Sequence, residues 1–290
     1  MDHIRTALVT GATSGLGRHA AGLLAATPGW RVLLGARDTD AGRRLAAELG
    51  PPTGVVPLDL ADLGSVRRAA AAAAEHAPLD ALLLVAGVQQ TRADSVSADG
   101  FELTFAVNHL GHFLLTRELL PHLVPGARVV VVSSGTHFGT FRQSGPFPAP
   151  RWADPRELAR PRAESGARAY ATSKLANVYF GRELARRHPE LSVAVFDPGL
   201  MPATGLARAY PAPVRALYGA LTPLLTRLPF AQGAAQAAAQ LTALVTGPAG
   251  HSGRYVERGT EAPSSPESTD PDRARELWDV SAELVGAPVR

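Results

Sequence analysis

Tyr170 and Lys174 stand four residues apart in Tyr170-Ala171-Thr172-Ser173-Lys174. The stretch has helical character, so both side chains fall on one face. Lys174 is the only lysine in the chain, and the other 28 of the 29 basic residues are arginine. A phenol with an ordinary pKa of about 10 is a poor acid or base at neutral pH, and a neighbouring ammonium stabilises its ionised form. Lysine also carries three donors on a slim stem, whereas arginine is a planar fork that keeps its proton. The pair therefore reads as a proton-transfer device; the alternative is chance survival of one lysine on a helix surface. Ser133 and Ser134 close the apolar run 128–133, where a hydroxyl can hold a substrate carbonyl against Tyr170. Asn108 lies in an apolar helix-like stretch, Val107-Asn108-His109, where asparagine is a poor helix former. It is there either for function or as an exposed helix residue.

A second constellation opens the chain. Thr10-Gly11-Ala12-Thr13-Ser14-Gly15-Leu16-Gly17 separates an apolar strand-like run from a helix-like one. Gly11 permits a tight turn, Gly15 lets the backbone approach a pyrophosphate, and Gly17 allows close packing of helix on strand. The helix N-terminus then offers free N–H groups to phosphate. The alternative is a glycine-rich turn without a ligand, and the strand–loop–helix context favours the nucleotide. After the second strand stands Arg37 rather than an acid. An acid there accepts a ribose hydroxyl of NAD, whereas arginine pairs with a 2′-phosphate, which points to NADP(H). A solvated loop arginine is the alternative, and Asp38 is placed as a helix cap. Arg18 is a second, weaker candidate for phosphate. Asp59, in Leu58-Asp59-Leu60, is assigned either to the adenine edge or to a helix cap.

These residues need a scaffold. Apolar strand-like runs cover residues 6–10, 31–35, 54–58, 81–86, 128–133 and 192–196. Helix-like runs fall at 15–26, 41–49, 62–76, 101–123 and 169–187. The strands are continuously apolar, which implies burial on both faces and a parallel sheet covered by helices. The regular alternation predicts an α/β, doubly wound parallel sheet of Rossmann type in a single domain spanning residues 1–290. Two segments break the rhythm: an insertion at 136–168, rich in Pro, Gly and Arg, and an apolar, proline-punctuated segment at 199–232, expected as a substrate lid. Both follow carboxyl ends of strands, where such sheets bind ligands. Residues 259–272 read as a mobile loop before a last helix.

The 290 residues suffice for one large α/β domain, and 46% hydrophobic with 19% charged residues is ordinary for a soluble enzyme. A net charge of +3 with scattered arginines gives no field for nucleic acid. The absence of cysteine excludes disulfides, thiolate metal sites and cysteine nucleophiles. No secretory signal opens the chain, and residues 214–230 are too interrupted by Arg and Pro to span a bilayer. A cytoplasmic location is expected. His109 and His112 lack a third ligand, so they are read as core or interface histidines, and no metal is expected. His137 follows the serines and either enters the pocket or, the favoured reading, is a loop histidine. Phe138, Phe141, Phe147 and Trp152 either line an apolar substrate site or pin the insertion.

In this order and spacing, these motifs resemble the short-chain dehydrogenase/reductase family over roughly residues 4–256. The glycine loop, the serine pair, the Tyr170–Lys174 stretch and Pro198-Gly199 carry the resemblance. Residues 170–187 and the run Pro198-Gly199-Leu200-Met201-Pro202-Ala203-Thr204-Gly205-Leu206 are most similar to its retinol dehydrogenase and protochlorophyllide reductase branch. The resemblance implies Tyr170 as proton donor or acceptor. It implies Lys174 as ribose ligand that lowers the tyrosine pKa, Ser134 as the substrate-orienting serine, and Asn108 in a proton relay through water. The cofactor would be NADP(H), bound by Gly11, Thr13, Ser14, Gly15, Leu16, Gly17, Arg37, Asp59, Leu60, Ala86, Gly87, Tyr170, Lys174, Pro198, Gly199 and Thr204. A small-molecule substrate, small to medium and partly apolar, is expected. So is a homodimer or homotetramer built from helices near 101–123 and 169–187. The same scaffold can also reduce C=C bonds, run redox-neutral chemistry, or serve as a silent NADP(H)-binding regulator. Three departures stand out. Leu84-Val85-Ala86-Gly87 replaces the usual Asn-Asn-Ala-Gly, the connection from Ser134 to Tyr170 is longer than usual, and Thr204 comes one residue late.

Overall fold

A computed structural model describes residues 4–145, 147–201 and 231–287. An eight-stranded sheet runs in the order β3-β2-β1-β4-β5-β6-β7-β8. Its strands are β1 (Arg5–Thr10), β2 (Trp30–Ala36), β3 (Thr53–Pro57), β4 (Leu79–Leu84), β5 (Leu123–Val132), β6 (Ser192–Asp197), β7 (Arg254–Glu257) and β8 (Thr260–Glu261). All neighbours are parallel except β7 and β8. The order reverses between β1 and β4, and the crevice there is where open α/β sheets bind their ligands.

The strands are apolar throughout because helices cover both faces. On one face Leu8, Leu82 and Val129 meet α3 (Leu63–Ala74), α5 (Gly111–Leu119), α8 (Gly166–Arg187) and α10 (Pro271–Leu284). On the other, Ala7, Val9 and Val130 meet α1 (Gly15–Ala25), α2 (Thr39–Leu49) and α9 (Ala234–Thr246). The doubly wound sheet predicted from the alternation is thus observed. Among the described residues, no helix is long and apolar enough to cross a membrane.

Several expectations change. The helix expected over 101–123 is a chain of turns: α4 (Leu103–Phe105), a π-helical turn at Ala106–Leu110, then α5 and a short 3₁₀ turn at Leu120–His122. Gly111 lets this segment press on β3's exit, since a Cβ there would lie 2.6 Å from the Leu60 carbonyl oxygen. The insertion is ordered by α6 (Phe141–Ser144) and α7 (Pro155–Leu158), and hydrogen bonds tie it to the body. Arg162 N–H donates to Ala93 O at 2.8 Å, and Arg151 N–H to Thr172 Oγ1 at 3.0 Å.

Residues 259–272 are not a mobile loop. They add β8 to the sheet edge, and Ser264, Ser265 and Ser268 are buried. Arg182 of α8 donates to Ser268 O and Ser264 Oγ, and Tyr179 Oη–H donates to Glu267 O at 2.7 Å. Serine and proline content reads as solvent-exposed, yet here the serines satisfy the half-buried Arg182.

The oligomer surface expected from residues 169–187 is also altered. Helix α10 lies along α8, with Trp278 between Phe113 and Phe180 and Arg187 paired to Asp279 at 3.0 Å. Nearly every residue of α8 up to Leu184 is buried within one chain. The sequence pattern of α8 alone does not show that its own C-terminal helix covers it.

Candidate active site

At the end of β1 the backbone turns through Gly11 with φ +64°, and Gly15 enters α1 with φ +52°. Both values favour glycine. A Cβ on Gly11 would lie 2.9 Å from Ala86 Cα, and one on Gly17 only 2.4 Å from Gly11 O. The loop, the helix and the end of β4 therefore pack backbone to backbone. Ser14 is the N-cap of α1 and its side chain accepts no capping hydrogen bond; Ser14 is exposed and Thr13 half-buried in the loop. Leu16 anchors the turn from inside.

The missing asparagines after β4 have a substitute. Thr10 Oγ1 accepts from Val85 N–H at 2.9 Å and Ala86 N–H at 3.1 Å. It donates in turn to His112 Nε2 at 2.9 Å, while His112 Nδ1–H donates to Asn108 O at 3.2 Å. A carbonyl can only accept, so the proton sits on Nδ1 and Nε2 is the acceptor. Burial pulls the His112 pKa down to about 4, with the Asn108 carbonyl opposing and the Lys174 charge adding. His109 is likewise buried and held to about 3, chiefly by burial, with Nε2 against Ser281 Oγ at 2.8 Å. Both are core histidines, as expected, and no cluster of metal-ligating residues exists among the described residues.

Arg37 is exposed at the end of β2 and has no ion pair among the described residues. Asp38 caps α2 through Ala41 N–H at 2.9 Å, as read from the sequence. Arg18 pairs with Glu48 at 2.7 Å at the exposed surface of α1. Asp59 does not cap α3; that is Asp62, through Ser65 N–H at 3.1 Å. Asp59 instead accepts from Ala61 N–H at 3.0 Å, and Leu60 beside it is buried.

The second group of residues gathers at the ends of β5 and β6. Gly166 sets the entry of α8 against the backbone of Gln90, where a Cβ would collide at 1.9 Å. One turn on, Tyr170 and Lys174 are 6% and 3% exposed, with Lys174 Nζ 5.5 Å from the phenol ring centroid. The ammonium donates to Val132 O at 3.1 Å, which Asn177 Nδ2 shares at 3.0 Å. Asn108 is not an exposed helix residue but fully buried. Its Nδ2 donates to Ser173 Oγ at 2.9 Å and Val88 O at 3.0 Å, and its Oδ1 accepts Val88 N–H at 2.8 Å. The π-helical turn aims it at both the β4 exit and α8. Gly87 completes this floor, since a Cβ there would approach Asn108 Oδ1 at 3.4 Å and Lys174 Nζ at 3.6 Å.

The two serines separate. Ser133 Oγ–H donates to Lys174 O at 2.8 Å and braces α8. Ser134 Oγ accepts Thr136 N–H at 3.3 Å, and its hydroxyl acts on Tyr170 against two stronger influences on that phenol. Burial pushes the Tyr170 pKa well above its ordinary value, and the Asp197 carboxylate pushes it further. The expected lowering by Lys174 is therefore not what this arrangement gives. Nζ is directed to Val132 O, and Asp197 brings the opposite charge. Burial pulls Lys174 itself down to about 8, with Asp197 holding it up.

Spacing alone missed Asp197, Tyr255 and the role of His137. Asp197 ends β6 just before Pro198-Gly199, and an acid closing an apolar strand was the available signal. Its Oδ2 accepts Tyr255 Oη–H at 2.6 Å and its Oδ1 accepts Gly199 N–H at 2.8 Å. His137 is buried rather than a loop residue at the surface. Its Nδ1–H donates to Ser134 O at 2.7 Å and its Nε2 accepts Ser265 N–H at 3.1 Å. Burial holds His137 to about 4. Of the aromatic residues, Trp152 packs on Tyr179 at 4.7 Å and Phe138 on Tyr255 at 6.3 Å, so both pin the insertion. Phe147 lies 5.9 Å from the Tyr170 ring, and Phe141 is 82% exposed. Thr204, with residues 202–230 of the expected lid, lies outside the described residues.

Comparison with known proteins follows the same lines. Residues 5–153 match the family described as short chain dehydrogenase. Protochlorophyllide reductase B, chloroplastic, of Oryza sativa subsp. japonica is 36% identical over 97% of this chain and 77% of its own. Retinol dehydrogenase 14 of Homo sapiens is 36% identical over 98% of this chain and 87% of its own. A crystal structure of an uncharacterized protein from Mycobacterium paratuberculosis superposes with TM-score 0.73 at 30% identity, over 99% of this chain and 96% of that one.

Proposed function

The chain belongs to the short-chain dehydrogenase family, and from that premise we propose that it is an NADP(H)-dependent oxidoreductase acting on a carbonyl or alcohol carbon, with Tyr170 as general acid. The observation that carries this reading is the buried Tyr170, with Lys174 Nζ 5.5 Å from its ring.

The residues present fit a nicotinamide dinucleotide. Gly11 and Gly17 leave no room for a Cβ where loop and strand ends meet, and Gly87 is bare beside Lys174. Among the described residues, the Lys174 ammonium makes one hydrogen bond, leaving donors for ribose hydroxyls. Arg37, exposed and without an ion pair among the described residues, suits a 2′-phosphate. Gly11, Thr13, Ser14 and Gly15 would hold the pyrophosphate. Asp59 and Leu60 would border the adenine, and Ala86, Gly87, Pro198 and Gly199 the nicotinamide half. When bound, the cofactor supplies or removes the hydride.

In reduction, Ser134 donates a hydrogen bond to the carbonyl oxygen and Tyr170 delivers the proton to it. A phenol pushed upward by burial stays protonated at neutral pH, as an acid must. Lys174 fixes the ribose and so the register of the two reactants. Asn108 positions the site, its amide spent on Val88 and Ser173. Proton transfer of this kind is worth about 10²–10⁴-fold in rate. Phe147 beside Tyr170 supports a partly apolar substrate of small to medium size.

The test is a screen of aldehydes and ketones with NADPH, followed on any substrate found by Tyr170→Phe. Loss of turnover with NADPH binding retained supports the reading. A Tyr170→Phe protein as active as the parent overturns it.

A further inference from the structure

Three histidines are buried to 2% exposure or less among the described residues: His109, His112 and His137. Two serve the core. His109 packs among Phe105, Phe113 and Phe180, and His112 joins Thr10 to the turn that carries Asn108. His137 differs, because both of its ring nitrogens meet main chain. Nδ1–H donates to Ser134 O at 2.7 Å, and the backbone N–H of His137 donates to the same oxygen at 3.2 Å. Nε2 accepts Ser265 N–H at 3.1 Å, from a segment 128 residues further on. A carbonyl only accepts and an amide N–H only donates, so these partners select the neutral ring with its proton on Nδ1. Aromatic rings hold the imidazole in place: Phe138 stands 4.3 Å from it and Tyr255 5.1 Å, and Tyr255 is tied in turn to Asp197. The segment around Ser265 is itself fastened to α8, the helix that carries Tyr170 and Lys174. Tyr179 bonds the main chain of Glu267, and Arg182 bonds Ser268 O and Ser264 Oγ. His137 thus closes a chain of contacts from α8 to the residues just after β5.

We propose that His137 is a positioning residue: it clamps the backbone of Ser134 to the segment that α8 holds, and so fixes the Ser134 hydroxyl relative to Tyr170. The inference rests on the reading of Ser134 and Tyr170 as the pair that receives a substrate carbonyl. Sheet pairing of β5 ends at Val132 opposite Phe196, and Ser133 N–H adds one main-chain bond to Phe196 O at 2.8 Å. Ser134 lies beyond that ladder, as N-cap of the 3₁₀ turn Gly135–Phe138. Its main-chain orientation is left to the bonds on its carbonyl, and among the described residues both of these come from His137. A backbone shift at this point moves the serine hydroxyl directly, and a misplacement of about 1 Å can cost about 10²-fold in rate. A purely structural role is distinguishable. Asparagine brings an amide donor to the level of Nδ1 and stops short of Ser265. Glutamine brings an acceptor to the level of Nε2 and leaves Ser134 O without its side-chain donor. Both remove the ring, so lost packing alone would harm both alike.

The experiment compares the two variants on a substrate taken from the carbonyl screen. His137→Gln is expected to lose kcat about 10–100-fold while calorimetric NADPH affinity stays at the parent value. His137→Asn is expected to turn over about 5–10-fold faster than His137→Gln, the worth of the hydrogen bond it keeps. Equal kcat in the two variants, or parent-like turnover in His137→Gln, overturns the proposal. The parent protein supplies a second reading that needs neither variant nor substrate. Nitrogen-15 NMR of the imidazoles, with His137 picked out by its contact with the Tyr255 ring, is expected to show it neutral at neutral pH with the proton on Nδ1. A proton on Nε2 leaves no acceptor for Ser265 and no donor for Ser134, and it overturns the clamp even where neither variant folds. A failed carbonyl screen with the expected tautomer removes the function and leaves the clamp on Ser134. A successful screen with parent-like turnover in His137→Gln removes the positioning role alone.

Discussion

At the end of β1 the rim is shaped by backbone, with Gly11 against Ala86 and Gly17 against Gly11. At the ends of β5 and β6 it is held by side chains from α8, β7 and the segment before α10. Each region nevertheless contains one buried neutral histidine with the same tautomer. His112 ties Thr10 to Asn108, and His137 ties Ser134 to Ser265. The first region builds a surface to which a ligand can come close. The second builds an electrostatic environment, in which burial and Asp197 set the state of Tyr170 and Lys174. A shape made of backbone tolerates changes of charge, and an environment made of charge tolerates small changes of shape.

The largest effect should separate the two regions outright. Tyr170→Phe is expected to lower kcat about 10²–10⁴-fold while leaving calorimetric NADPH affinity unchanged. If affinity falls with kcat, the regions are not independent. Next comes the basic side chain assigned to the cofactor phosphate. Arg37→Ala should weaken NADPH about 10–100-fold, the value of charge-assisted hydrogen bonds, and leave NADH alone. Smaller again is Gly11→Ala, which meets a positive φ and the Ala86 backbone. It should cost about 1–2 kcal/mol in chemical denaturation. The least effect at neutral pH, and one that grows with acid, comes from the two histidines. Both are held to about 4 in the fold, below an unfolded value of about 6.5. Between those values the unfolded chain binds more protons, so stability is full above pH 6.5 and falls as pH drops toward 4. A Tm series across that window should show the decline, and His137→Gln should flatten part of it.

The same contrast explains what the sequence revealed. The glycine loop was legible because Gly11, Gly15 and Gly17 answer to local geometry, and local geometry survives in spacing. Continuous apolar strands gave the parallel sheet for the same reason. Tyr170 and Lys174 were legible as a pair on one helix. Their environment was not, because Asp197, Tyr255, His137 and Ser265 come from four places along the chain. Only the β6–β7 pairing and the packing of α8 bring them together. The π-helical turn at Asn108 and the covering of α8 by α10 likewise depend on tertiary packing rather than on periodicity. Residues 259–272 misled because their serines bond buried partners instead of water.

The most direct test of the central claim is a calorimetric titration of the intact protein with NADPH and, separately, with NADH. Tight NADPH binding with much weaker NADH binding is the predicted result, and it ties the glycine loop and Arg37 to one ligand. Equal binding would return Arg37 to the solvent. Binding of neither would contradict the account, and the protein could not be the NADP(H)-dependent oxidoreductase proposed.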